Sequence, residues 1–289
     1  LIHHFVMAKQ QVNDYLESQY NVVADRADFE QVLQDWTGRS LAYQSKCRGF
    51  SQHRYGKREN EVIDLFPTRE QSAPVMVYLH GGYWQRGDRA LYSFIAEPYN
   101  EMGVNVAIVG YPFSPSVSIW EIIDSIEAAI LWIWRNTRDM GMNSEQLVLV
   151  GHSAGGHLAT VMQTYDWKGI EPAISVNILN AVVSVSGLYW LEPLCSTTIN
   201  ENLGLDERRA RKLSPTGMEP VADVPIALVV GTEEGREFFE QANRLQMAWD
   251  QYGIPVIRQK ENQADHFDVV YRMADKESKL FRLIMRFVS

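Results

Sequence analysis

The sequence predicts an α/β protein in which a mostly parallel central sheet is covered by helices on both faces. Two observations carry that prediction. From residue 61 onward, short runs of strand type alternate with longer segments of helical periodicity. Several of the runs are apolar throughout, which suits strands buried on both faces. The composition permits such a core: 289 residues, 46% hydrophobic and 22% charged, fit one large α/β domain over 1–289.

The elements follow in order. Residues 1–60 are polar and mixed, with helical patterns at 5–20 and 28–41 and then a loop rich in Gly, Arg and Ser, and they read as an N-terminal helical flap or cap packed on the domain. Strands are expected at 61–66 and at 75–79, the second introduced by Pro74 and ended by His80-Gly81-Gly82. A third strand at 104–109 precedes a helix over 118–140, where Trp120, Ile123, Ile126, Ile130 and Trp134 recur at helical spacing and both tryptophans are assigned to the core. A strand at 147–150 leads into a helix that starts after Ser153 and runs to about 165. Strands at 182–185, 226–230 and 256–259, with helices at 236–252 and 269–287, complete the pattern. No internal repeat or linker divides the chain.

Charge and cysteine usage narrow the function. A formal net charge of -9 without a basic stripe argues against a nucleic-acid surface. No run of eighteen apolar residues occurs, so no membrane span is expected. Cys47 and Cys195 are too few for a disulfide framework and lack metal-type spacing, which fits a reducing, cytoplasmic compartment. His3 and His4 are read as terminal residues, and no metal site is expected, because a site needs three or four converging ligands.

Gly151-His152-Ser153-Ala154-Gly155 matches G-x-S-x-G between an apolar strand and a helix start. In that context the pattern is the nucleophile elbow of the α/β-hydrolase fold, with Ser153 presented above the sheet on a strained turn. His80-Gly81-Gly82-Tyr83-Trp84 follows the 75–79 strand, where this fold places an oxyanion loop. Gly82 and Tyr83, with Gly81 as a further candidate, and Ala154 are the expected N–H donors. The base should come last in the chain; His266 follows the 256–259 strand and is the only histidine beyond His157. His152 and His157 are expected to pack or hydrogen-bond. The acid should follow the 226–230 strand, where Glu233 and Glu234 are adjacent. Glu234 is preferred, lying three residues after the strand-ending Gly231, and Glu233 stays open.

The loop at 80–89 resembles that of kynurenine formamidases, also called arylformamidases, which read H-G-G-Y-W where general esterases show H-G-G-G. The resemblance continues through Gly151 to Ala159, Leu213-Ser214-Pro215, Glu234-Gly235-Arg236-Glu237-Phe238 and His266-Phe267-Asp268. It implies a cofactor-free hydrolase that deformylates N-formyl-L-kynurenine in tryptophan breakdown, with a triad of Ser153, Glu234 and His266. Many members have Asp where this chain has Glu. The partner expected is a small aromatic formamide, with Tyr83 and Trp84 as candidate substrate contacts; Trp84, Tyr111, Phe113 and Tyr189 are otherwise read as packing. Arg86 and Asp88 are candidate polar partners for the substrate's amino-acid end by proximity to the loop only, with solvated surface charge the better reading of both. Two other readings stand beside this one, a broad carboxylesterase with the same triad and a non-catalytic binding module on the same scaffold. The sequence leaves oligomeric state open.

Overall fold

The computed structural model describes residues 12–24, 26–174, 177–221 and 223–288. Among the described residues eight strands form one sheet: β1 Ser51–Arg54, β2 Val62–Phe66, β3 Ala73–Leu79, β4 Asn105–Val109, β5 Met142–His152, β6 Leu179–Val185, β7 Ile226–Gly231 and β8 Val256–Glu261. Their order is β1-β2-β4-β3-β5-β6-β7-β8. The β1–β2 and β2–β4 pairs are antiparallel and all others parallel. The expected α/β-hydrolase architecture is present.

Alternation along β3 shows why its run is apolar throughout. Val75, Val77 and Leu79 pack with residues of the helices Ile119–Asn136, Ala154–Met162 and Arg236–Trp249, while Met76 and Tyr78 pack on the other side with Trp36, Tyr99 and Ile284. Each face is thus covered by helices, and a polar residue on either would be buried without a ladder partner. At the sheet edge β8 is only half buried, which is why Arg258, Gln259 and Lys260 are tolerated there.

Several elements depart from the expectation. The polar strand β1, Ser-Gln-His-Arg, has no apolar signal and is held by its antiparallel register with β2, from Ser51 opposite Leu65 to Arg54 opposite Val62. The helix expected at 118–140 ends at Asn136; Ser118 and Glu121 form a reciprocal cap at its start. Trp120 is not core: it is 43% exposed, because Ile119, Ile122, Ile123, Ile126, Ile130 and Ile133 take the inward stripe and Trp120 falls outside it. The helix expected at 269–287 is two, Asp268–Met273 and Lys279–Val288, broken where Ser278 accepts from the Phe281 N–H at 2.9 Å. Of the helix expected at 5–20, residues 5–11 lie outside the described residues, as do His3 and His4; Asp14–Tyr20 is helical, capped by Asn13. The second N-terminal helix, Phe29–Lys46, lays Trp36 against Tyr92 (5.4 Å between rings) and hydrogen-bonds Ser40 Oγ to the Leu91 carbonyl at 2.8 Å. Among the described residues no helix is long and apolar enough to cross a membrane, and Cys47 and Cys195 are unpaired.

Because β3, β5, β6, β7 and β8 are parallel, the loops that follow them leave the same end of the sheet. Those loops carry His80 to Trp84, Ser153, Ser186, Glu234 and His266. Five separate stretches of sequence meet there, at the carboxyl ends of the strands.

Candidate active site

Ser153 lies between β5 and the Ala154–Met162 helix with φ 54° and ψ -118°, a conformation that costs a non-glycine residue about 1–3 kcal/mol. The surroundings hold it there. Its N–H donates to the Val185 carbonyl on β6 at 2.8 Å. A Cβ at Gly155 would stand 1.9 Å from the Leu79 carbonyl oxygen, so only glycine lets the helix approach β3 this closely.

The structure brings His266 and Glu234 together. The His266 Nδ1–H donates to Glu234 Oε2 at 2.7 Å. Glu234 Oε1 in turn accepts from the Gly231 N–H at 2.7 Å and from Ser186 Oγ at 2.5 Å. Both side chains are almost wholly buried, at 6% and 0% exposed, whereas Glu233 is exposed. The structure therefore brings Glu234 to the imidazole and leaves Glu233 outside. Ser186 is a member of this group that the sequence reading missed; its position at the C-terminal end of β6, between the elbow strand and the acid strand, was the available signal.

The loop after His266 is fixed from two sides. On one, the His152 Nε2–H donates to the His266 carbonyl at 2.8 Å. On the other, the Asp265 carboxylate accepts from the N–H groups of Phe267 and Asp268, both at 2.8 Å, and pairs with Arg26 of the N-terminal segment. Arg26 also pairs with Asp28 and Asp268. Pairs of this partly buried kind outweigh exposed ones, and here they tie the N-terminal segment to the loop carrying His266.

In the loop after β3, Gly82, Tyr83 and Trp84 have φ of 122°, 52° and 58°. At Gly82 a Cβ would meet the Arg86 carbonyl oxygen at 1.9 Å, so glycine is required there. Among the described residues the N–H groups of Gly82 and Tyr83 take no hydrogen-bond partner, and Ala154 opens a helix, where first-turn N–H groups lack intrahelical acceptors. Gly81 abuts the elbow: its Cβ would touch that of Ser153 at 3.0 Å.

One cavity of about 460 Å³ is lined by Ser153, His266, His152, Gly81, Gly82 and Tyr83. Its opposite wall is supplied by the N-terminal segment and the loop after Gly82, through Val22, Val23, Phe29, Leu33, Trp36, Leu91 and Tyr92, with Phe267 beside them. The N-terminal flap thus forms the roof of the site, which no sequence motif announced. Tyr83 fits its expected place and is fixed by a hydrogen bond from its hydroxyl to the Tyr20 carbonyl at 2.5 Å. Trp84 does not: it is fully buried, its ring edge-on to His157 at 5.0 Å, because the turn sends it inward beneath the loop. Tyr111, stacked on His80 at 4.4 Å, and Tyr189, bonded to Ser184, are packing residues, as expected. Arg86 and Asp88 are exposed, as the surface reading expects, and they also border the cavity.

Three buried histidines stand around this apparatus. Burial holds His80 and His157 down to about 4, and burial with the adjacent His266 holds His152 well below its ordinary value. The sign of the consequence is fixed. Their folded values lie below the unfolded value near 6.5, so between about pH 6.5 and 4 the unfolded chain binds more protons and stability falls as pH falls. Each histidine contributes a slope of up to about 1.4 kcal/mol per pH unit. Urea unfolding at pH 7, 6 and 5 should show the midpoint dropping before most carboxylates titrate; a constant midpoint would contradict the buried neutral state.

With the geometry in hand, the relatives fall into place. The chain matches the BD-FAE family over residues 63–246. It is 28% identical over 241 residues to the kynurenine formamidase of Danio rerio, covering 81% of this chain and 80% of that one. To the kynurenine formamidase of Drosophila melanogaster it is 27% identical, with 80% and 79% covered. A solved structure from Silicibacter sp., described as a candidate thioesterase, superposes with a TM-score of 0.81 at 28% identity, covering 93% of this chain and 98% of that one. The matched stretch takes in the loop after β3, Ser153 and Glu234, and on that ground the chain belongs to the BD-FAE family of α/β-hydrolases, with kynurenine formamidases among its relatives.

Proposed function

We propose that this hydrolase converts N-formyl-L-kynurenine to L-kynurenine and formate through a formyl-serine intermediate, using Ser153, His266 and Glu234 and no cofactor. The observation that carries this reading is the cavity in which Ser153 and His266 face a wall of Phe29, Trp36, Tyr92 and Phe267. Formyl is the smallest acyl group, so nearly all of that space is left for the departing group, and aromatic walls suit a flat aniline. The kinship with kynurenine formamidases supports the same substrate.

In this mechanism Ser153 Oγ attacks the formamide carbon while His266 Nε2 takes its proton. The developing oxyanion is met by the N–H groups of Gly82, Tyr83 and Ala154, each worth roughly 3 kcal/mol in the transition state, with Gly81 the alternative donor. His266 then delivers the proton to the aniline nitrogen as the C–N bond breaks. Water, deprotonated by the same imidazole, hydrolyses the formyl ester and releases formate. Glu234 keeps the proton on Nδ1 throughout and stabilises the imidazolium.

The kinship with a candidate thioesterase favours a second reading, a general esterase with the same triad. Turnover of N-formyl-L-kynurenine against p-nitrophenyl acetate separates the two. The formamidase reading expects the higher kcat/KM on the formamide. Cleavage of the ester alone would retain the triad and remove the substrate.

A further inference from the structure

The lining of the cavity over Ser153 includes two charged and exposed residues, Arg86 and Asp88, among walls that are otherwise aliphatic, aromatic, glycine or the site residues already described. Among the described residues the Arg86 guanidinium takes no hydrogen-bond or ion-pair partner. Asp88 uses Oδ1 to cap the Ala90 N–H at 2.9 Å, and its side chain is 59% exposed. The neighbouring Arg89 is engaged by buried Asp64 at 2.8 Å and stands 3.8 Å from Asp88. One unpaired cation and one available carboxylate oxygen therefore flank the cavity, two residues apart.

Their spacing from the reacting centre is fixed by the loop itself. The Gln85 and Arg86 N–H groups both bond the Gly82 carbonyl, at 3.0 and 3.2 Å. Gly87, at φ 122°, packs so closely on His80 that a Cβ would lie 2.7 Å from the ring. The seven-residue loop 82–88 thus presents Gly82 and Tyr83 at one end and the charge pair at the other, as a single stiff piece.

We propose that Arg86 and Asp88 form the subsite for the α-amino-acid end of the leaving group, Arg86 receiving the carboxylate and Asp88 the ammonium. The assignment rests on the formamidase reading and sharpens it: the substrate class is aryl formamides that carry a zwitterionic side chain, in preference to plain formanilides. A guanidinium suits this task because its planar fork matches a carboxylate.

The test measures kcat/KM for the native protein, Arg86→Gln and Asp88→Asn on four formamides: N-formyl-L-kynurenine, its analogue lacking the carboxylate, its analogue lacking the amino group, and formanilide. On N-formyl-L-kynurenine each variant should lose about tenfold, mainly through KM, the size expected for one charge-assisted contact. The Arg86→Gln loss should be several-fold smaller on the substrate without the carboxylate, and the Asp88→Asn loss several-fold smaller on the substrate without the amino group. Asn keeps the cap on Ala90, so a folding defect does not enter. Equal losses on all four substrates, or no loss on any, overturn the subsite in an active enzyme. A native protein that cleaves none of the four overturns the formamidase reading, and the subsite with it.

Discussion

Ser153→Ala should lower kcat by about a millionfold on whichever substrate the native protein turns over, with the fold intact. The size follows from what the hydroxyl alone supplies. Without Oγ there is no covalent route, and water must attack a formamide held in the oxyanion loop, where donors and binding leave a residual advantage of only about a thousandfold. Stability should move by no more than about 0.5 kcal/mol. Ala keeps the strained φ of 54°, the N–H bond to Val185 and the Gly155 approach to Leu79, none of which involves the hydroxyl. The loss can therefore be assigned to chemistry rather than unfolding, by thermal denaturation run beside the assay. Retention of more than about one part in a hundred of kcat would mean that another group is the nucleophile, since removing the serine of a triad protease costs about a millionfold.

Much of this arrangement was legible in the sequence, for reasons that individual residues make plain. Ser153 and the 80–84 loop could be placed because each follows an apolar run that reads as a buried strand, and His266 because it is the only histidine beyond His157 and comes after the last strand. Glu234 could be preferred over Glu233 by counting from Gly231, and the geometry explains the count: the chain turns back so that the Glu234 carboxylate accepts from the Gly231 N–H. What escaped was determined by tertiary contact. The strand β1 exists through its pairing with β2, not through its own residues. Trp120 sits one residue off the isoleucine stripe, and periodicity alone did not resolve which side of the stripe it fell on. The inward turn of Trp84 depends on two successive residues with positive φ, a conformation that Tyr and Trp rarely adopt and that no composition rule anticipates. The roof of the cavity is the largest omission, because Phe29, Leu33 and Trp36 look like any amphipathic helix face until the Arg26 ion pairs show where that segment is tied.

Glu234→Gln should cost about ten-thousandfold in kcat, and Glu233→Gln less than twofold. The asymmetry follows from the hydrogen bonds. Glu234 is an acceptor on both oxygens, toward His266 Nδ1–H on one side and the Gly231 N–H and Ser186 hydroxyl on the other. Glutamine must turn an NH₂ toward one side. If it faces the imidazole, Nδ1 becomes the acceptor and the proton moves to Nε2, the atom required to accept the serine proton. If it faces Gly231 instead, two donors oppose each other in a pocket where Glu234 is 0% exposed, and an unsatisfied buried donor costs about 1–3 kcal/mol. Either way the imidazolium formed during acylation loses its counter-charge. Glu233 is exposed and makes none of these contacts, so its substitution changes only surface charge. Comparable losses in the two variants would remove Glu234 from the triad. Loss in Glu234→Gln with recovery in Glu234→Asp would establish that the carboxylate, and not the length of the side chain, is what His266 requires.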